Sequence, residues 1–402
     1  MNMKSFQLVA VIAIAVAQTN FAADANLGKL AAANNTFAFN LLKQLVTEQP
    51  DASIFVSPDS AATALQMAAN GAAGQTKAEM QQVLGITNLT AAELNQTIKA
   101  AAGLLNASDT NVILTTANAL WYRQSAQIKP DFLEANQQFF SSTIKPLDFS
   151  NVPAAEKEIN QWASDQTHGR ITGIANGMID PISMDLILVN AIYFKGKWEE
   201  PFDAKLTKER PFHPAASAAK NLPMMEMSKK FRYRKGTDYQ AVRLPYMGGD
   251  LAMYVFLPDP GSSPTKLLQI MNDDNWHKIT VPGFSERQGR LVLPKFKLEN
   301  TLELNRPLAE LGMKAAFSQG KADFSGMFSD PHFISEVRQK TFVEVNEKGT
   351  EAAAVTVIAV TRAAIEMNPP KPFEMIMDRP FLFAIVDARS EMILFMGVVN
   401  DL

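Results

Sequence analysis

Cysteine is missing from this chain of 402 residues. Its absence excludes disulfides, thiolate nucleophiles, iron–sulfur clusters and cysteine-bound zinc. Histidine is scarce too, and the four histidines are scattered without the HExxH or HxH spacing of a catalytic metal site. Neither a metal site nor a cofactor is therefore expected.

An excess of charge is also missing, because 38 lysine and arginine residues nearly balance 41 aspartate and glutamate residues. A chain of this balance has no large basic field for nucleic acid or anionic lipid, so a nucleic-acid partner is not expected. After the N-terminal stretch, no apolar run reaches the roughly 18 residues of a membrane span, so no membrane anchor is expected either. The 47% apolar content is typical of a soluble globular protein.

The N-terminal stretch differs in composition from the rest of the chain. Among its first 23 residues only Lys4 carries a charged side chain, and Phe6 to Ala17 form a largely apolar run too short to cross a bilayer. This pattern predicts a secretory signal peptide over residues 1–22, whose end the small residues there leave open. A buried first helix is the alternative. The mature protein is accordingly expected to be secreted or periplasmic.

The remaining chain contains no linker or repeat, although its length alone suggests two or three domains. Alanine-rich helical spacing predicts helices over Leu27 to Gln49 and Ser60 to Leu84, and a capping box predicts a third over Thr90 to Leu105. Apolar β-branched and aromatic runs follow and predict strands that are covered on both faces. Helices segregated from sheets predict the α+β class. The predicted strands are Val112 to Tyr122, Leu186 to Phe194, Gln240 to Leu257, Gly289 to Leu298, Thr341 to Val345 and Phe381 to Val399.

Motifs for catalysis are missing as well. The GxSxG elbow of serine hydrolases does not occur. Gly71 to Lys77 resembles a phosphate-binding loop only superficially, because its Lys and Thr are in the wrong order and no strand precedes it. We interpret that segment as a helix kink or turn. A secreted hydrolase would need a nucleophile and a base that no motif supplies, so the chain is not expected to be an enzyme.

One segment near the C-terminus has an unusual composition. A predicted strand is followed by charged residues and a glycine, and then by a run of small and β-branched residues. Alternate positions from Thr350 onward would share one face of a strand, and small residues can slide between existing strands without overpacking. An ordinary core strand is the alternative, but the charged start and the proline-containing end at Glu366 to Lys371 favour an exposed loop. The segment runs through Glu347, Gly349, Thr350, Glu351, Ala352, Ala353 and Ala354 to Arg362.

Several short blocks occur in a fixed order along the chain. They are Phe55 to Ser60, Thr116 to Trp121, Asn160 to Trp162, Thr167 to Ile171, Asn190 to Trp198, Leu293 to Phe296, Asp378 to Ile385 and Phe395 to Gly397. Each block is weak alone, but the order and the spacing together are highly specific. On these blocks the chain resembles the serpin family over essentially its full mature length.

The resemblance implies an α+β serpin fold: one domain over residues 23–402, with about three β-sheets, eight or nine helices and an exposed reactive loop over about residues 349–370. It also implies a monomeric suicide inhibitor of serine endopeptidases, in which the cleaved loop inserts into the central sheet. The first inserting residue must lack charge and proline, and Thr350 satisfies this. Ala352, Ala353 and Ala354 are small enough to follow it. A non-inhibitory serpin that acts as a carrier or folding helper is the alternative.

The resemblance further implies residues that control the opening of the sheet. They are Glu347, Lys295 and Trp198 where the sheet opens, and Ser57, Ser60, Asn190 and Gln339 beneath its centre. Glu347 and Lys295 are expected to form an ion pair. Gln339 departs from the family pattern, because many members carry histidine there. Glutamine both donates and accepts hydrogen bonds but does not titrate near neutral pH.

The target protease depends on where the loop is cut. The family's spacing from Gly349 puts the scissile bond between Ala363 and Ala364, which suits elastase-like proteases. Arg362, one residue earlier, suits trypsin-like proteases with an acidic pocket. An exposed loop accepts a shift of one residue, so both bonds stay open. The expected partner is a trypsin-like or elastase-like serine protease.

Overall fold

The computed structural model describes residues 3–106, 111–280, 282–350 and 371–402. Nine α-helices lie in these ranges, and short 3₁₀ helices add single turns at Ala204–Leu206 and Ala315–Phe317. The α-helices are α1 (Met3–Glu48), α2 (Pro58–Ala69), α3 (Gly74–Val83), α4 (Ala91–Asn106), α5 (Pro130–Phe140), α6 (Val152–Gln166), α7 (Pro264–Ile270), α8 (Asp273–Thr280) and α9 (Asn305–Glu310).

The strands of the described ranges form two hydrogen-bonded sheets. They are β1 (Ile54–Val56), β2 (Val112–Arg123), β3 (Thr143–Leu147), β4 (Leu186–Lys197), β5 (Lys208–Phe212), β6 (Lys220–Lys235), β7 (Tyr239–Pro245), β8 (Leu251–Pro258), β9 (Ser285–Pro294), β10 (Phe296–Glu303), β11 (Ile334–Asn346), β12 (Gly349–Thr350), β13 (Phe373–Ile376), β14 (Phe381–Asp387) and β15 (Ile393–Val399). The six-stranded sheet has the order β10-β11-β12-β4-β2-β3. The nine-stranded sheet runs β1-β15-β14-β8-β7-β6-β9-β13, and β5 pairs with β6.

The resemblance implies about three β-sheets, but the described strands form two, because the long strand β6 joins the second and the third. β6 pairs with β7 through residues 232–235 and with β9 through residues 224–233, while its first residues pair with β5. The two smaller groups of strands are therefore continuous through β6. Sequence reasoning did not predict β6, because two consecutive buried methionines, Met224 and Met225, follow Pro223 and break the alternation in the first half of the strand.

The predicted helix over Ser60 to Leu84 is interrupted and forms α2 and α3. Ser57 caps α2, because its hydroxyl accepts a hydrogen bond from the backbone N–H of Ser60 at 3.4 Å. The interruption lies around Gly71, where a Cβ would lie 2.6 Å from the Cβ of Met327. Only glycine fits so close to that side chain. The interpretation of Gly71 to Lys77 as a helix kink or turn is thereby confirmed.

Two further predictions are tested by local backbone contacts. The capping box of α4 is confirmed: the backbone N–H of Thr90 donates to Glu93 Oε2 at 2.9 Å, and the N–H of Glu93 donates to Thr90 Oγ1 at 3.3 Å. The strand-forming runs predicted over Phe381 to Val399 and Gln240 to Leu257 are each divided by a turn: the first forms β14 and β15, and the second forms the antiparallel pair β7 and β8. Gly248 and Gly249 have positive φ angles in the turn between β7 and β8.

Buried side chains form a larger and a smaller core. The larger core runs continuously between α1, α2 and both sheets, and the smaller core lies between α6 and the six-stranded sheet. In the smaller core Trp121 of β2 meets Trp162 of α6 edge to face, with ring centroids 6.4 Å apart. β4 is buried along nearly its whole length because it is covered on both faces. It forms one wall of the site described next.

The first helix begins at Met3, inside the segment predicted as a signal peptide, and side chains are described from Ala25 onward. Within the described ranges, no helix has the length and apolar character that crossing a bilayer requires. In the same ranges, no group of three or more His, Asp or Glu side chains is arranged to hold a metal ion.

Candidate hinge and sheet-opening site

A seam between β4 and β11 crosses the middle of the six-stranded sheet. The two strands pair in parallel over residues 186–193 of β4. Beyond this stretch β12 lies between them, because Thr350 pairs with Val345 of β11 on one side and with Gly196 of β4 on the other. The first residues of the predicted reactive loop therefore already belong to the central sheet.

Gly349 makes this close approach sterically feasible. Its φ angle is +139°, and a Cβ at this position would lie 2.1 Å from the carbonyl oxygen of Gly196. A side chain would be strained by both the backbone angle and the contact. Glycine at this position thus allows the chain to turn from β11 into the seam.

Thr350 occupies a fully buried position beside an aromatic cluster. Its Oγ1 lies 3.1 Å from the hydroxyl of Tyr246, within hydrogen-bond distance. The Tyr246 ring stacks on Trp198, with centroids 4.6 Å apart, and meets the edge of Phe194 at 5.0 Å. Burial raises the pKa of Tyr246 strongly, so its hydroxyl keeps its proton and can donate to Thr350. An uncharged side chain with a hydroxyl suits this position.

Glu347 and Lys295 lie together at the open end of the seam. Lys295 Nζ is 3.0 Å from Glu347 Oε2, and Thr207 Oγ1 donates to Glu347 Oε1 at 2.9 Å. Burial alone would raise the pKa of Glu347, but hydrogen bonds from its own backbone N–H, Lys295 and Thr207 outweigh burial and lower it. The carboxylate therefore stays ionised and bound at neutral pH.

Trp198 holds the chain between β11 and β12 through its backbone and its ring. Its backbone N–H donates to the carbonyl of Lys348 at 3.0 Å, and its Nε1 donates to the carbonyl of Asn346 at 3.0 Å. The backbone N–H of Phe202 donates to the carbonyl of Glu347 at 2.8 Å. These bonds satisfy three successive carbonyls, so the hinge is fixed by its backbone as well as by its side chains.

A second polar cluster lies halfway along the seam. Gln339 of β11 is in register with Asn190 of β4, and its Nε2 donates to Asn190 Oδ1 at 2.6 Å. Gln339 also accepts from the backbone N–H of Ser57 at 2.8 Å and donates to the carbonyl of Ser57 at 2.9 Å. Asn190 Nδ2 in turn donates to Ser60 Oγ and to Asn118 Oδ1. The cluster thus links β11, β4, β2 and the start of α2 across the seam.

The structure brings together the sheet-opening residues predicted from the sequence, in two groups along one seam. Glu351, Ala352, Ala353 and Ala354 lie outside the described residues, as do Arg362, Ala363 and Ala364. Three residues whose side chains contact the site were not predicted: Tyr246, Thr207 and Asn118. Asn118 had a signal in the sequence, since it lies within a matched block on a predicted strand. Tyr246 and Thr207 had none, because each meets the hinge only through the tertiary fold.

Comparison with known proteins identifies the family. The family described as Serpin (serine protease inhibitor) matches residues 32–402. This chain is a serpin. It is 38% identical over 383 residues to the leukocyte elastase inhibitor of Bos taurus, covering 93% of this chain and 99% of that protein. It is 37% identical over 376 residues to Serpin B6 of Macaca fascicularis, covering 92% and 98%.

Solved serpin structures have the same fold. The thermophilic serpin tengpin in its native state matches with a TM-score of 0.85 and 30% identity, covering 93% of this chain and 94% of that one. Human thyroxine-binding globulin in complex with thyroxine matches with a TM-score of 0.85 and 28% identity, covering 94% and 99%. The predicted α+β serpin fold is confirmed. Membership in a family of protease inhibitors also means that this serpin is not an enzyme.

Proposed function

We propose that this serpin is a secreted suicide inhibitor of trypsin-like or elastase-like serine endopeptidases. The observation that carries the proposal is β12, because Gly349 and Thr350 lie as a strand between β4 and β11. A sheet that admits two hinge residues at its open end supports insertion of the residues that follow. The N-terminal composition of residues 1–22 supports secretion or export to a periplasm.

The register of β12 supports this insertion. Thr350 lies opposite Gly196 in an antiparallel pair. Each further residue of the loop would therefore lie opposite the preceding residue of β4. Small residues at the first inserted positions would enter the sheet without displacing its core. The pairs that this register gives are Ala352 with Phe194, Ala354 with Ile192 and Thr356 with Asn190.

The proposed reaction stops halfway through proteolysis. The hydroxyl of the protease serine attacks the carbonyl carbon of residue 362 or 363, forms an ester with it and releases the amine of the next residue. Inserting about 12 residues, at roughly 1 kcal/mol net per hydrogen bond, releases on the order of 10 kcal/mol. That energy is comparable with the stability of a whole domain. Insertion that outpaces hydrolysis carries the protease to the far end of the sheet and traps the ester by distorting the protease active site.

Incubation with trypsin, and separately with elastase, tests this proposal. We expect a complex that survives denaturing electrophoresis and a released C-terminal peptide identified by mass spectrometry. A peptide that starts at Ala363 assigns cleavage after Arg362, and one that starts at Ala364 assigns cleavage after Ala363. Loop cleavage without a complex, and without a rise in the unfolding temperature of the cleaved protein, would contradict inhibition.

A second candidate function is ligand carriage, which a cavity of about 370 Å³ favours. The cavity lies between α1, α8 and the turn before β15, and Trp276 and Arg389 are among its lining residues. Arg389 is already paired with Asp250 and Asp387, and the carboxylates of Asp273 and Glu391 also line the cavity. An aromatic wall beside these carboxylates suits an aromatic ligand that carries an amino group. The structural relative thyroxine-binding globulin, solved with thyroxine, supports a ligand of that class.

A thyroxine titration followed by tryptophan fluorescence tests carriage. Binding in this cavity should quench Trp276 saturably, and the W276F variant should lose that part of the quenching. A titration with no saturable quenching, or with equal quenching in the wild type and in W276F, would reject this cavity as the ligand site.

A further inference from the structure

The end of the seam opposite β12 is closed by a buried histidine and a buried aspartate. Asp185 immediately precedes β4, and His332 lies two residues before β11 begins. His332 Nδ1 is 2.8 Å from Asp185 Oδ1, and the backbone N–H of Phe333 donates to Asp185 Oδ2 at 2.9 Å. Both residues are more than nine-tenths buried, at 7% and 8% exposure. One carboxylate therefore joins the starts of the two strands that flank the seam.

Few other charges face this pair. Arg123 at the end of β2 places its Nε 3.9 Å from Asp185 Oδ1. Asp330, on the same segment as the histidine, places its Oδ2 3.1 Å from His332 Nε2, but the two atoms are not aligned as a hydrogen bond. The ring of Phe328 covers the imidazole, with centroids 4.3 Å apart. The other charged groups on these segments are bound elsewhere: Glu336 pairs with Arg338, Asp180 accepts from Ser183, and Lys129 donates to the carbonyl of Ser325.

Full insertion of the loop is incompatible with this contact. The register that starts at Thr350 opposite Gly196 brings loop position 361 opposite Asp185. Neighbouring strands lie about 4.8 Å apart, so one strand inserted between β4 and β11 separates them by roughly 10 Å. A direct hydrogen bond of 2.8 Å between His332 and Asp185 cannot persist across that gap. The last residues to insert must break it.

We propose that His332 and Asp185 form a pH-sensitive latch that keeps the lower end of the seam closed and slows the final step of loop insertion. The inference rests on the proposed inhibitory function, because only insertion requires the seam to open fully. The latch regulates the same seam whose upper end carries β12. It is built from described residues only, and its position does not depend on which bond of the loop the protease cuts.

The direction of the pH effect follows from the charges around the imidazole. Burial alone would lower the pKa of His332, but the carboxylates of Asp185 and Asp330 outweigh burial and raise it above the ordinary 6.5. The stabilisation is therefore complete below the ordinary pKa and is lost as the pH rises through the raised value. The latch is strongest in mild acid and weakens toward alkaline pH.

Amide hydrogen exchange on the uncleaved protein tests the latch without any protease. After correction for intrinsic rates, we expect segments 186–193 and 334–342 to exchange about three- to tenfold faster at about pH 8 than at about pH 5.5. The H332N variant keeps a neutral donor near the Nδ1 position, so it should lose most of this difference. The matched control is H277N, because His277 Nδ1 also meets a carboxylate, Glu391 Oε2 at 2.9 Å, but lies exposed on α8 away from the seam. H277N should keep the difference.

A second variant at an exposed position keeps the test decisive if H332N fails to fold. Asp330 is 61% exposed and helps to raise the pKa of His332, so D330N should fold and shift the exchange transition to lower pH. A wild-type difference that H332N or D330N leaves unchanged, or no wild-type difference at all, overturns the latch.

A protease assay then separates the latch from the proposed function. With a protease that forms complexes, the fraction of serpin cleaved without trapping should rise as the pH falls, and this trend should vanish in H332N. A trend that H332N preserves would overturn the latch as a control of insertion. If no protease forms a complex, inhibition fails while the exchange result still decides whether His332 closes the seam.

Discussion

Replacing Thr350 with arginine is expected to reduce the yield of trapped protease complex by at least about 100-fold while leaving loop cleavage unchanged. Thr350 is fully buried between Val345 and Gly196, and its hydroxyl faces Tyr246. An arginine would bring an unpaired charge into this space, which costs several kcal/mol. Since about 1.4 kcal/mol is a factor of ten in rate, insertion would fall behind ester hydrolysis. The protein would then be consumed as a substrate.

Denaturing gels at increasing ratios of protease to serpin measure how much serpin forms a complex and how much is cleaved without one. The matched control is K348R, which places an arginine two residues earlier at an exposed position of the same hinge. K348R should form complexes as the wild type does. T350V, which keeps the shape and removes the hydroxyl, isolates the contact with Tyr246 and should have a much smaller effect than T350R. Wild-type complex yield from T350R would show that insertion does not pass through the position that Thr350 occupies.

The hinge illustrates how far the sequence alone could be read. The sequence marked Gly349 and Thr350 as the start of an inserting segment, because side-chain alternation and the matched blocks are local patterns. It could not predict that these two residues already form β12, since that depends on β4 and β11 diverging at their ends. Tyr246 was missed for a related reason: it is 104 residues away from Thr350 in the chain, and no local periodicity links them.

Outside the site, too, some features were predictable from local sequence patterns and others were not. The fold class was predictable, because buried strands such as β4 are apolar at consecutive positions. α6 went unpredicted, although its start and its buried face were readable: Asn151 caps it and Ala155, Ile159 and Trp162 recur at helical spacing. The latch residues Asp185 and His332 carried no signal, because an isolated aspartate and histidine become a pair only when β4 and β11 align.

The second large effect is expected from Gln339→Leu, which should destabilise the uncleaved protein by about 2–4 kcal/mol. The change preserves approximate volume but leaves two buried groups without partners, the N–H of Ser57 and Oδ1 of Asn190. The carbonyl of Ser57 also loses a bond but still accepts from the backbone N–H of Ala61 at 3.1 Å. Each buried polar group left unsatisfied costs about 1–3 kcal/mol, and leucine regains only part of this through apolar burial. The lost contact with Asn190 also crosses the seam, so spontaneous conversion to a loop-inserted form should accelerate.

Urea unfolding, together with the loss of complex-forming activity on storage, measures both effects. The structure provides a matched control in Gln66 of α2, which is 1% exposed and whose amide nitrogen and oxygen have no hydrogen-bond partner. Gln66→Leu removes the same chemical group from an equally buried position and strands no partner, so it should be neutral or stabilising. Equal unfolding curves for Q339L and Q66L would contradict the role of Gln339, because the two variants differ in the hydrogen bonds that they break. A large loss in Q339L alone would mean that this serpin closes its seam with a side chain that does not titrate near neutral pH, and would leave His332 as the titrating residue at the seam.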